Sequence, residues 1–259
     1  MKKLLLPLII AFIFFNCTEK KQAVIHNDLL FDNLKGPVEK AEELPFTLDS
    51  AGKTGALDSC CISVLEYDDK GYRTKQVYKD AGGREKSGQI YTGRFSNGHV
   101  KEIRFIVDGV VVNILSGTLT EDGRYSKSHI HDTSGKLISF YDSVELNDDG
   151  KIIVMKGFSV DSVLQRTIIN NYEKQIWVGG MVKDSSGKEI LSTKIKLNEK
   201  LNPAEITQVA FMNGKTTTTI TRHIYTGYDE HDNWVHCTET DENGKPKRIL
   251  KRRITYRKK

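Results

Sequence analysis

The 259 residues carry 28% charged and 38% apolar side chains, with 39 basic residues against 34 acidic ones and a formal net charge of +5. That apolar share lies below the usual ~45–50%, glycine counted, and excludes a polytopic membrane protein; a chain of this length can bury a sizeable core, so disorder is not the default. Twenty-one glycines against five prolines predict a soluble, turn-rich fold rather than a linker or a collagen. The chain opens Met1-Lys2-Lys3, then runs from Leu4 to Phe15 almost without a polar atom, and a lone Cys17 follows Asn16. A run this short falls under the ~20 residues a bilayer-crossing helix needs and suits the apolar region of an export signal.

The segment Phe14-Phe15-Asn16-Cys17 resembles the lipobox of bacterial lipoproteins, in the relaxed form found among the Bacteroidota. The resemblance implies cleavage before Cys17, a diacylglyceryl group on its thiol, and stable anchoring by two or more acyl chains. Asn16 is larger and more polar than the usual residue before the cysteine; the alternative role for Cys17 is a buried structural thiol. The expected organisation is a signal peptide over 1–16, a lipidated N-terminus and tether over 17–36, and one repeat domain over 37–259. Thr18, not Asp, follows the cysteine, which by the same resemblance favours the outer membrane.

Beyond the tether the informative feature is a spacing. One glycine series runs Gly71, Gly98, Gly123, Gly150, and a second runs Gly83, Gly109, Gly135, Gly187, Gly214, in steps of 25 to 27 residues with one double step. The skipped beat falls at Asp161-Ser162. Asp or Asn precedes most of these glycines, as in Asp68-Asp69-Lys70-Gly71 and Asp148-Asp149-Gly150, which is hairpin-turn chemistry. Consecutive turns leave strands of roughly nine residues, about thirteen in all on this spacing, with one series of turns at each edge of an antiparallel meander. Only His26–Lys35 and Asn202–Ala210 have spacing compatible with a short helix, Pro203 suiting a first turn. Ile103, Phe105 and Val107 share one face, whereas Ile152–Met155 and Ile176–Val178 are apolar on both, predicting central strands covered twice. The fold class is therefore all-β: a long antiparallel meander of repeated hairpins forming one curved or folded-over sheet, with a closed barrel as the second choice, because open sheets beyond ~10 strands tend to curl or close.

Tyr228-Asp229-Glu230-His231-Asp232-Asn233-Trp234, the later Thr240-Asp241-Glu242-Asn243-Gly244-Lys245, and Tyr67-Asp68-Asp69-Lys70-Gly71-Tyr72 resemble the repeats of YD-type, Rhs-like lipoproteins of the Bacteroidota. The middle repeats match by spacing alone. The resemblance implies an architecture and transfers no catalytic residue.

No residue set reads as catalytic, no metal site is nominated, and no cofactor is expected. Three cysteines remain: one of the neighbours Cys60 and Cys61 can bridge to Cys237 in an oxidising compartment, which would join the two ends of the sheet, or all three stay reduced. His129 and His131 share a strand face but lack evident further ligands. From Lys245 to Lys259 nine basic residues occur without an acidic one. Arg248, Lys251, Arg252, Arg253 and Arg257 are thus a candidate anion-binding patch for an acidic glycan or lipid headgroup; the alternative is an edge strand guarded by charge. The export signal disfavours nucleic acid. The sequence leads to a non-catalytic protein of the cell envelope, held to the outer membrane through a lipid anchor and serving as a binding or structural scaffold, possible partners being an envelope protein or anionic material. The alternatives are an enzyme or ligand carrier with its site in the concave face, and an immunity factor.

Overall fold

The computed structural model describes residues 27–58, 60–212 and 214–258. One short helix, α1 (Asp28–Phe31), precedes seventeen strands. The first group is β1 (Val38–Leu48), β2 (Thr54–Leu57), β3 (Ile62–Tyr67), β4 (Arg73–Lys79), β5 (Glu85–Arg94) and β6 (Val100–Val107). There follow β7 (Val110–Leu119), β8 (Tyr125–Asp132), β9 (Leu137–Leu146), β10 (Ile152–Ser159), β11 (Leu164–Glu173) and β12 (Ile176–Asp184). The last are β13 (Glu189–Leu197), β14 (Pro203–Met212), β15 (Lys215–Tyr228), β16 (Trp234–Thr240) and β17 (Pro246–Tyr256).

From β3 to β17 every strand pairs antiparallel with its neighbour in sequence, and β1 pairs with both β3 and β17. The sheet therefore closes into a sixteen-strand barrel. The extra strand, β2, pairs only with β1 and continues the line of β3: Phe46 faces Leu57 and Glu43 faces Ser63, with an irregular stretch between. Closure was the second choice from sequence; it wins over the curved open sheet because a barrel leaves no row of unpaired backbone groups.

Twelve connections share one geometry. The N–H of the first turn residue bonds to the carbonyl four residues on, and the N–H three residues on bonds back to the first carbonyl, as in Asp68 with Tyr72 and Gly71. This is a type I turn closed by a residue in the left-handed region. Nine of the twelve fill that place with glycine, and the others with Ser162, Leu201 and Asp232. The leading Asp or Asn carboxylate or amide caps the turn, Asp132 accepting from the N–H groups of Ser134 and Lys136 at 2.9 and 3.0 Å. Ser162, at the skipped beat, forms the same turn. The two glycine series do line opposite mouths of the barrel.

Three expectations are corrected. Thirteen strands become seventeen, because the turns at Lys174-Gln175, at Leu201 and at Asp232 reach positive φ without glycine and because the short β2 stands apart from β3. Asn202–Ala210 is not helical; Pro203 opens β14, whose neighbours β13 and β15 supply both ladders. The strands with apolar residues on both faces are not covered twice, since Ile152 to Met155 are all only half-buried. Indeed no residue of β5, β7, β9, β11, β13, β14 or β15 is buried. A wall reached by solvent on both faces encloses a hollow lumen. The compact core is confined to the closure region, where Val64 and Val77 are fully buried and α1 packs Leu29 against Tyr67, Val38 and Ala41.

Candidate binding lumen and its two mouths

A single helical turn cannot stand alone in water, so α1 depends on the contacts around it. Asn27 caps it, accepting from the Leu29 N–H at 2.9 Å. The Asp28 carboxylate accepts from the backbone N–H and guanidinium donors of Arg73 and Arg94, at 2.7 and 2.6 Å. Asp32 takes a close ion pair from Arg73 and the Tyr67 hydroxyl at 2.6 Å. The Asn33 amide donates to Asn202 at 2.7 Å, and Lys35 pairs with Asp232 at 2.6 Å while its backbone exchanges hydrogen bonds with the Asn233 amide. Lys151 and Arg73 each lie 5.8 Å from the centre of the Phe31 ring. These partners come from turns all around one mouth, so residues 27–37 lie across it as a plug. Burial pushes the Tyr67 hydroxyl well above its ordinary range, and Asp32 adds to the effect. Burial disfavours the Arg73 cation, but the Asp32 carboxylate outweighs it and holds the charge firmly. Beside the plug an open cleft of about 930 Å³ is lined by Tyr72, Arg73, Tyr91, Arg94 and Phe95.

Register decides what each face of the wall shows. The row Leu65–Gln76–Gln89–Phe105 lies on the side of α1 and faces the lumen. The alternate row Lys75–Ile90–Arg104–Ile114–His131 faces out. Farther round, the outer face continues through Asp142–Lys156–Thr167–Lys183 and carries the cross-strand pairs Lys127–Asp142 at 2.8 Å and Arg222–Glu205 at 2.9 Å. A wall turned to lipid carries an apolar band some 25 Å tall, and a charge at its midplane costs about 2–4 kcal/mol. From β8 to β15 this outer wall is charged in mid-strand on strand after strand, as a water-facing wall is, whereas over β3 to β6 the same face holds the buried apolar cluster of Ile62, Val64, Val77 and Ile106.

Inside, a charged stripe crosses the last strands. Glu239 accepts from His223 at 3.2 Å and from Arg248 at 3.1 Å. Burial alone would raise the Glu239 carboxyl, but these two donors overcome it and bring it down to about 2. Held ionised at neutral pH, it has no proton to give as a general acid. The buried Nδ1 of His223 has no hydrogen-bond partner among the described residues. Alongside, Arg252 pairs with Glu43 at 3.2 Å and stacks 3.7 Å above the Trp234 ring. Between them Cys237 is fully buried, its thiol pushed up to about 12 by burial, which makes it inert as a nucleophile.

Cys17 lies outside the described residues. Cys60 and Cys61 are bonded to each other in the stretch between β2 and β3, and Cys237 is a free thiol. β1 and β17 stand between β3 and β16, three strand spacings of ~4.8 Å, beyond the ~7 Å limit of a disulfide. The basic residues do not converge: Arg248 and Arg252 face the lumen in the pairs just described. Lys251 lies 4.9 Å over the Phe46 ring, Arg253 is 3.6 Å from Glu42, and Arg257 donates to the Tyr67 carbonyl. The edge-guarding alternative also fails, because β17 is paired on both sides. His129 and His131 face outward, and no metal-holding cluster of three or more His, Cys, Asp or Glu occurs among the described residues. Sequence reading missed Asp28, Asp32, Arg73 and Arg94. The four-residue spacing of the two aspartates, one face of a helical turn, was the available signal.

No family model and no curated protein matches the sequence. Among solved structures the chain is similar to a porin-like protein from Bacteroides uniformis, at 13% identity and a TM-score of 0.49, covering 85% of this chain and 98% of that one. It is also similar to the Tc holotoxin pore of Photorhabdus luminescens, at 11% identity and a TM-score of 0.19, and to TcdB2-TccC3 without its hypervariable C-terminal region, at 11% and 0.18. The match covers 82% and 83% of this chain but spans only 15% and 16% of those two.

Proposed function

We propose that the protein is a non-catalytic cell-envelope protein, tethered to the outer membrane through lipidated Cys17, whose barrel stands in water beside the bilayer as a binding scaffold. The observation that supports this reading is the charged outer wall from β8 to β15, which suits water better than lipid and gives a lipid on Cys17 the role of anchor. The described chain starts at the plugged mouth. The ligand-carrier variant of the reading is favoured by the hollow lumen, whose wall offers aromatic rings, amides and the Glu43–Arg252 and Glu239–Arg248 pairs to anything that enters.

Metabolic labelling with palmitate, followed by envelope fractionation, tests the anchor. Cys17→Ser should abolish the label and release most of the protein from membranes. A mutant that stays embedded after carbonate washing would show that the wall or an uncleaved apolar run holds it, and the proposal would fall.

A further inference from the structure

The mouth opposite the plug is formed by the turns 49–53, 80–86, 108–109, 132–136, 159–163, 184–189, 214–215 and 241–245. Among the described residues no element crosses it. Of the large apolar side chains exposed in this chain's described residues, all but Leu30 and Ile224 lie at this mouth. Tyr78, Val110, Ile138, Val163, Leu191 and Met212 stand in or beside successive turns over the arc from β4 to β14, Tyr78 and Leu191 on rows that face the lumen, and Val110 and Met212 are 64% and 70% exposed. Isolated exposed apolar residues need no explanation, but their concentration at one mouth, turn after turn, marks that rim as a contact surface.

Charge selects the occupant. The turns of this mouth hold ten acidic and seven basic residues, so an anionic bilayer surface would repel the rim rather than draw it in. The signs are also interleaved: Asp49 and Lys53, Asp80 and Arg84, Asp132 and Lys136, Asp184 and Lys188, Asp241 and Lys245 stand at the first and fifth places of single turns. A surface in which each turn carries both signs around an apolar arc is complementary to itself. Of the described residues, 27–37 lie at the other mouth.

From these observations we infer that the open mouth is a docking surface for a second copy of the chain, two barrels meeting rim to rim about a two-fold axis to enclose one continuous lumen. A two-fold contact sets the apolar arc of one copy against that of the other. The inference goes beyond the scaffold reading and does not depend on lipidation.

The full-length protein in mild detergent, sized by light scattering with the detergent contribution removed, should have the mass of a dimer. Val110→Glu, Val163→Glu and Met212→Glu together should weaken the dimer at least about 100-fold, with the circular dichroism spectrum unchanged, whereas Ile224→Glu on the outer wall should leave the mass as it is. Should the triple variant misfold, Val163→Cys gives a second readout: mild oxidation should yield a disulfide-linked dimer that Ile224→Cys does not. A monomeric mass up to about 100 µM, or a dimer indifferent to the triple change, overturns the inference. Rim-dependent adsorption of monomeric Cys17→Ser protein to phosphatidylcholine vesicles would also overturn it, assigning the rim to lipid.

Discussion

Asp32→Ala should loosen the plug, and the size of the effect follows from what Asp32 holds. Its side chain and that of Arg73 are 13% and 12% exposed, and its second oxygen accepts from Tyr67 at 2.6 Å. Removing the carboxylate leaves a buried guanidinium whose Nε already lacks a partner among the described residues, facing the Phe31 and Tyr91 rings. Breaking one side of such a pair costs about 3–5 kcal/mol. For a domain of this size each kcal/mol moves Tm by roughly 2–4 °C, so a global effect would lower Tm by about 6–20 °C. Should only the plug open, the loss appears as local exchange instead. The Leu34 N–H, bonded to the Leu29 carbonyl at 2.8 Å, and the Leu29 N–H, bonded to the Gly71 carbonyl at 3.2 Å, should then lose protection in hydrogen exchange while β10 keeps it. Asp32→Leu combined with Arg73→Met should recover most of the loss, since an apolar pair of similar volume can replace a buried ion pair. A Tm within about 2 °C of wild type together with unchanged protection at Leu34 would refute the plug as a packed element.

The Glu239 carboxyl is held low by His223 and Arg248, so its contribution to stability is complete above its ordinary range and is lost as pH falls from about 4.5 toward 2; that is about 3 kcal/mol, and acid titration of unfolding should show Glu239→Gln lacking this component. Gly71→Ala should destabilise more than Gly135→Ala by at least about 1 kcal/mol in denaturant unfolding: both glycines have positive φ, but a Cβ on Gly71 would meet Asn27 Oδ1 and Leu29 Cδ1 at 2.8 Å, whereas Gly135 faces open space. Arg252→Gln should cost about 1–3 kcal/mol and Arg253→Gln less than about 1, because Arg252 is 14% exposed against Glu43 and the Trp234 ring while Arg253 is 71% exposed. Equal effects would contradict the inward and outward assignment of β17.

The alternation of turns between two edges could be read from the sequence because its chemistry is local. Asp at the first turn place and glycine at the fourth answer to a hydrogen bond and a φ value inside five residues. Where the left-handed place is taken by Leu201 or Asp232, that signal disappears, and the strand count failed at those points. Closure depends on β1 meeting β17 across the whole length of the chain, and no local pattern announces it. The apolar character of Ile152–Met155 and Ile176–Val178 misled for a related reason. In a filled fold such residues would be covered on both sides, whereas in a hollow wall cross-strand neighbours shield them only in part. The plug lay in a segment read as tether, since one helical turn gives too short a period to recognise.

The basic C-terminal strand gains its role from that closure. β1 carries Glu39, Glu42 and Glu43, and in the observed register Glu42 faces Arg253 and Glu43 faces Arg252. The first and last strands of the wall thus meet with opposite charges. A slip of one residue would send every side chain of β17 to the other face, turning Arg252 from Glu43 and the Trp234 ring to the outside and bringing Leu250, now 4% exposed, out with it. In a barrel with so little buried apolar surface, the last pairing cannot rely on a packed core to set its register. The charge pairs and the small cluster of Trp234, Cys237 and Leu250 specify it at the seam, and the residues that looked in sequence like an anion-binding tail are the complement of the strand that completes the ring.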